Sequence, residues 1–155
     1  MIKVAIMGYG TIGSGVNEVL ETNRKILAEK IGQELEVKYI LDLRDFPGTS
    51  VEGKIVHDFS VICRDVEVKI VVETMGGLEP AYTFVKSCLE AGKHVATSNK
   101  ALVAAYGTEL LAIAREKKVN FLFEASVGGG IPIIRPLYRC LMGEKIQEIT
   151  GILNG

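Results

Sequence analysis

The stretch IKVAIMGYGTIG, residues 2–13, constrains the fold more than any other part of the chain. A short, nearly continuous apolar run over 2–7 reads as a strand buried on both faces. Gly8, Gly10 and Gly13 follow at once in G-x-G-x-x-G spacing. Behind them Ile12, Val16, Val19, Leu20, Ile26 and Leu27 recur at helical spacing. The glycine match alone is weak, but its place between strand and helix is that of a phosphate-binding turn in a dinucleotide fold. Gly8 would permit the tight turn, Gly10 the approach of backbone to a pyrophosphate, and Gly13 close packing of helix on strand. The amides of Thr11 and Ile12 would point at phosphate from the helix N-terminus.

The rest of the chain repeats the strand–helix alternation. VKYIL (37–41), KIVVET (69–74), HVAT (94–97) and NFLFEA (120–125) read as strands. Ala81, Phe84, Val85, Cys88 and Leu89 mark a helix that opens at Pro80 and stops near Gly92. Leu102, Val103, Tyr106, Leu110, Ile113 and Ala114 mark another, with Gly107 as a bend or break. Residues 44–54 read as a loop punctuated by Pro47, Gly48 and Gly53. The alternation predicts an α/β fold, a doubly wound parallel sheet of the Rossmann type. Pro132–Leu141 reads as a helix, and 145–155 as a strand with no helix after it. The expected division is therefore a dinucleotide-binding domain over 1–131, then a hinge helix and first strand of a second module over 132–155.

Bulk properties narrow the function. A chain of 155 residues, 48% hydrophobic and 24% charged, is one globular domain by length. A formal charge of −1 gives no electrostatic footprint for nucleic acid or an anionic membrane surface. No apolar run approaches the ~20 residues of a membrane span, and the start has no signal-peptide pattern. Cys63, Cys88 and Cys140 are scattered without metal-ligand spacing and read as reduced thiols of a cytoplasmic protein. His57 and His94 have no partner spacing that marks an acid or base.

Three further sites carry polar chemistry. In YILDLRDF, Asp42 or Asp45 would accept from a ribose 2′-hydroxyl, as NAD requires. Both come later after Gly13 than the usual ~20 residues, because the first helix is long. Arg44 between them would pair with a 2′-phosphate, which inclines the choice to NADP without closing it. In FEASVGGGIPIIRPL, Glu124 and three glycines offer a carboxylate and convergent carbonyls to a hard cation. The competing reading, which composition favours, is a hinge with Glu124 capping the next turn. In GKHVATSNKAL, Lys100 follows a strand at the rim where ligands bind in open α/β sheets. Ser98 or Asn99 would cap the helix there. Lys100 is then either a ligand-facing cation or an exposed surface lysine.

Taken together, VAIMGYGTIGSGV (4–16), VVETMGGLEPA (71–81), GKHVATSNKAL, FEASVGGGIPIIRPL and ITGILNG (149–155) resemble the N-terminal, NAD(P)-binding domain of the homoserine dehydrogenases. The motifs keep the family's order and spacing over essentially the whole chain. The resemblance implies reversible hydride transfer between homoserine and NAD(P), giving aspartate semialdehyde, in threonine and methionine biosynthesis. It implies that Gly10, Thr11 and Ile12 bind the pyrophosphate and that Thr74 and Ser98 lie near the nicotinamide ribose. Arg44 falls where members that take NADP carry an arginine. Lys100 matches a lysine implicated in catalysis at the junction of cofactor and substrate. Glu124 and the carbonyls of Val127, Gly129 and Ile131 match a sodium site. Family chains continue into a substrate-binding domain that also forms a homodimer. The expectation is a truncated chain competent for cofactor binding alone. The alternative is a stand-alone NAD(P)-sensing module without catalysis.

Overall fold

The computed structural model describes residues 1–152. Six strands form one parallel sheet in the order β3-β2-β1-β4-β5-β6. They are β1 (Ile2–Met7), β2 (Leu35–Leu41), β3 (Ile55–Val56), β4 (Val68–Glu73), β5 (His94–Thr97) and β6 (Phe121–Leu122). The helices are α1 (Thr11–Thr22), α2 (Arg24–Ile31), α3 (Phe59–Arg64), α4 (Ala81–Glu90), α5 (Lys100–Lys117) and α6 (Ile134–Cys140). This strand order is that of a doubly wound dinucleotide fold, with the reversal between β1 and β4.

Alternation along the strands splits the core in two. Ala5 and Met7 of β1 and Val71 of β4 pack with Ile62 of α3, Val85 and Leu89 of α4, and Leu102 and Leu110 of α5. Ile6 of β1 and Ile40 of β2 turn to the opposite face and meet Val16 and Leu20 of α1. Right-handed crossovers demand this segregation, because the chain winds outward in opposite directions from β1 and from β4. It leaves one face of the β4–β6 half with only partial cover. Ile70, His94 and Ala96 line a shallow groove there, and Leu122 is exposed.

Several expectations need correction. The first helix is not continuous: Asn23, at φ −99° and ψ 16°, separates α1 from α2. Asparagine competes for backbone hydrogen bonds and favours such junctions. Gly107 does not break α5, which runs continuously through it. The glycine is buried on the helix, and a Cβ there would lie 3.3 Å from Val103 Cγ1. The last strand is two residues long because its partner β5 pairs only at Val95 and Ala96. Glu124 therefore lies not at a strand end but in a 3₁₀ turn, Glu124–Ser126. Within the region beyond Gly53, β3 and α3 carry no clear periodic signal, being two and six residues long.

The C-terminal region also differs. The helix spans Ile134–Cys140, shorter than 132–141, with Pro136 in its first turn, where a missing N–H costs little. Ile133, Ile134 and Leu137 are half-buried, while Tyr138, Leu141 and Met142 are exposed. Residues 145–152 form no strand and are exposed, since no sheet edge lies alongside to pair with them. The remainder of the ILNG motif, 153–155, lies outside the described residues.

The tightest packing is at the glycine turn. A Cβ on Gly13 would fall 2.0 Å from the Gly8 carbonyl oxygen and 2.9 Å from Thr74 Oγ1. The first is backbone at the end of β1 and cannot yield as a flexible side chain would. Gly13→Ala should destabilise the chain by about 2–3 kcal/mol, read as a lowered urea midpoint. A midpoint equal to the parent's would show that α1 lifts off β1 at little cost.

Candidate functional site

Two crevices lie along the carboxyl ends of the strands, where open α/β sheets bind ligands. The larger has a volume of about 560 Å³ and opens between the ends of β1, β2 and β4. Its polar rim comprises Asp42, Arg44 and His57, and its apolar wall includes Phe59, Met75, Pro80 and Phe84. Phe59 and Phe84 stack with ring centroids 4.0 Å apart, making a flat aromatic surface. Gly8, Gly10, Thr74 and Arg44 all line this crevice. Thr11, Ile12 and Gly13 do not line it but form the first turn of α1 beside it.

That turn is built to leave amides free. Gly8 adopts φ +93°, and a Cβ there would crowd Thr74 and Met75 at 3.0 Å. The Thr74 hydroxyl lies 2.9 Å from the Gly8 carbonyl, within donating distance, and so ties the turn to β4. Gly10 is the N-cap of α1, and among the described residues no side chain caps the helix. The first-turn amides have no intrahelical acceptors. Thr11 and Ile12 are exposed, and nothing lies within 4 Å of the Cβ position of Gly10. The backbone there faces open space, with the positive end of a helix beside it.

At the opposite end of the crevice the polar groups are interlocked. Asp42 accepts from the Tyr9 amide at 2.7 Å and the Arg44 amide at 3.0 Å. The Arg44 guanidinium donates to both its oxygens, Nε to Oδ1 at 2.9 Å and Nη2 to Oδ2 at 3.0 Å. Nη2 also donates to the Tyr9 carbonyl at 3.1 Å. The guanidinium beside it, with those amides, overcomes burial and holds the Asp42 carboxyl well below the usual carboxylate range. Asp42 is thus already saturated by cation and amides, and Arg44 is exposed on the rim over the Phe46 ring. Asp45 takes a different role, with Oδ1 3.0 Å from His57 Nε2.

The smaller crevice, about 320 Å³, lies at the end of β5. Ser98, Lys100, Ser126, Gly129 and Ile131 line it. Asn99, not Ser98, caps α5, accepting from the Leu102 amide at 3.1 Å and donating to the Gly77 carbonyl at 2.6 Å. Lys100 is then the first residue of α5 and is exposed. Of the residues expected at the site, Gly8, Gly10, Arg44 and Thr74 thus line the larger crevice and Ser98, Lys100, Gly129 and Ile131 the smaller.

Glu124 borders the smaller one. Its Oε1 accepts from the amides of Ile133, at 2.5 Å, and Ile134, at 2.8 Å, and its Oε2 from the amide of Arg135 at 2.9 Å. Burial pushes this carboxyl up, but the three amides and the Arg135 charge outweigh it and hold the group below its ordinary value. The capping role is therefore what the geometry displays. Two lone pairs per oxygen leave one unused on Oε2. Val127 is the residue that closes the turn, its amide donating to the Glu124 carbonyl at 3.2 Å.

Sequence reasoning overlooked Glu73 and the partners of His57. Glu73 is fully buried at the end of β4. Its carboxyl group accepts from the Met75 amide at 2.8 Å and from the Thr97 hydroxyl, joining the ends of β4 and β5. An acidic residue closing an apolar run, as in KIVVET, was the available signal.

Comparison with known proteins agrees with this architecture. The family profile described as homoserine dehydrogenase, NAD binding domain, matches residues 8–124. The homoserine dehydrogenase of Pseudomonas aeruginosa is 42% identical over 99% of this chain, which spans 36% of that protein. The structure of the Thiobacillus denitrificans homoserine dehydrogenase superposes with a TM-score of 0.83 at 38% identity, over 92% of this chain and 33% of that one. A hyperthermophilic archaeal homoserine dehydrogenase solved in complex with NADPH superposes with a TM-score of 0.77 at 27% identity, over 92% of this chain and 49% of that one. A glycine turn held under an uncapped helix, a strand order that reverses beside it, and a matching profile over most of the chain place this protein in the homoserine dehydrogenase family, within its NAD-binding domain.

Proposed function

We propose that this chain is the cofactor platform of a homoserine dehydrogenase, holding NAD(P) for reversible hydride exchange between homoserine and aspartate semialdehyde. The carrying observation is the larger crevice itself, with the uncapped start of α1 beside it and a guanidinium on its rim. Gly10, Thr11 and Ile12 would take the pyrophosphate, Gly8 and Gly13 making room for it. Arg44 would meet a 2′-phosphate, and the saturation of Asp42 removes the carboxylate that would otherwise take the ribose hydroxyl. This supports NADP over NAD. The stacked Phe59 and Phe84 offer an apolar wall to an adenine or nicotinamide ring. Thr74 and Ser98 would flank the nicotinamide ribose, and Lys100 would stand where cofactor and substrate meet.

A bound nicotinamide dinucleotide supplies the hydride donor or acceptor. The residues of this chain orient it, and Lys100 brings the positive charge that a reacting carbonyl oxygen needs. The substrate pocket and a homodimer contact would come from the parts of the relatives that this chain does not span. Residues 1–131 would then be the cofactor domain and 132–155 the passage to that part. Among the described residues no helix is long and apolar enough to cross a membrane. A cytoplasmic enzyme of threonine and methionine biosynthesis, without nucleic-acid or membrane partners, fits these features. For a sodium ion, the unused lone pair of Glu124 and the carbonyls of Val127, Gly129 and Ile131 supply oxygen donors of the right chemistry.

Titration of the chain with NADPH and NADH, followed by nicotinamide fluorescence, tests the platform. NADPH should bind more tightly, and Arg44→Ala should weaken NADPH by roughly tenfold or more while changing NADH little. Equal losses for both cofactors would remove Arg44 as the phosphate reader. Lys100→Ala should leave the NADPH/NADH ratio unchanged, because Lys100 lies in the other crevice; a collapse of that ratio would relocate it. For the cation, replacing sodium by choline at constant ionic strength should shift the amide resonances of 127–131 in the parent chain and not in Glu124→Gln. Identical spectra of the parent in both salts would eliminate the ion.

A further inference from the structure

His57 stands between β3 and α3, with its ring at the polar rim of the larger crevice. Nδ1 lies 2.7 Å from the Asp42 carbonyl oxygen, and Nε2 lies 3.0 Å from Asp45 Oδ1. Both neighbours are acceptors. A neutral imidazole carries one N–H, so either tautomer sets a ring lone pair against an oxygen. Only the imidazolium donates to both. The ring therefore stitches the turn after β2 to the segment after β3, and its two anchor points lie on either side of Arg44 in the chain.

The charges around it are few. Asp42 and Asp45 face the ring from the turn after β2, and the Arg44 guanidinium between them is held on Asp42. Asp58, next in the chain, is turned to the amide and hydroxyl of Ser60. This setting raises the His57 pKa above its ordinary value, through the hydrogen bond to the Asp42 carbonyl first and the Asp45 carboxylate second. The ring is exposed, so its proton exchanges with solvent directly.

We propose that His57 is a positioning residue for 2′-phosphate recognition: its protonated ring pins the Asp42–Asp45 turn, so that Arg44 meets the phosphate already oriented. The inference rests on reading this crevice as the adenosine end of a dinucleotide site. With both nitrogens engaged, His57 touches no ligand and works through the turn. The sign follows from the direction of the shift. A histidine with a raised folded-state pKa contributes its full effect below its ordinary value of ~6.5 and loses it as pH climbs through the raised value. The 2′-phosphate itself gains its second charge near pH ~6, which strengthens its pairing with Arg44 as pH rises. The two effects oppose one another, so a variant must separate them.

The experiment is a pair of titrations, NADPH and NADH, across about pH 6 to 9, on the parent chain and on His57→Gln. The ratio of NADPH to NADH affinity in the parent should fall by roughly threefold to tenfold relative to the variant across that range. Carbon-detected NMR of the parent without ligand supplies a second reading that needs no variant. The His57 ring should titrate above ~6.5, and the amides of Tyr9 and Arg44 should shift with the same midpoint. Superimposable affinity ratios for parent and variant overturn the inference alone, as does a ring that titrates at its ordinary value. Failure of either dinucleotide to bind at any pH overturns the cofactor reading and this inference with it.

Discussion

The carbonyl oxygen of Gly8 sits where three elements converge. It faces the Gly13 Cα, where a side chain would lie 2.0 Å away, and is within reach of the Thr74 hydroxyl. Through it β1, α1 and β4 are brought to a spacing that only a glycine on the helix permits. The reversal of winding between β1 and β4 opens a crevice at that same point. Close approach and ligand space are thus two sides of one contact. Because the helix is drawn down onto the strand, its first amides are left beside the crevice with no capping side chain in front of them.

The opposite rim shows how electrostatics can redirect an inherited arrangement. A carboxylate at the end of the second strand is the usual partner of a ribose hydroxyl. Asp42 occupies that place but is spent on a bidentate arginine and two amides. A bare carboxylate would repel a phosphate. One neutralised by a guanidinium becomes a support that holds the cation in place. The pairing neutralises the acidic position and presents a guanidinium at the rim without removing the acid.

Legibility in the sequence followed the length and regularity of each element. The glycine turn, β1, β4, β5, α4 and α5 were readable because an unbroken apolar run or helical period spans each of them. α5 was readable in spite of Gly107, whose effect depends on Val103 and the packing of the helix rather than on propensity. The two-residue β3 and β6 are defined by pairing with a neighbour, and no local pattern marks so short a strand. Arg44 and Asp42 could be named from YILDLRDF, but their ion pair could not, since spacing does not fix side-chain direction. Glu73 and His57 owe their roles to partners more than ten residues away, Thr97 and Asp42. Those contacts exist only once the sheet is assembled.

Glu124 holds α6 by three amides while its neighbour two residues on, Ser126, lines the smaller crevice with Lys100. Turn and helix therefore behave as one mechanical part. A displacement of α6 would reach the wall beside Lys100 through these three hydrogen bonds, which bridge the glycine segment 128–130. A protein joined to this chain through that helix would feel the crevice, and would be felt by it, as a crank feels its shaft.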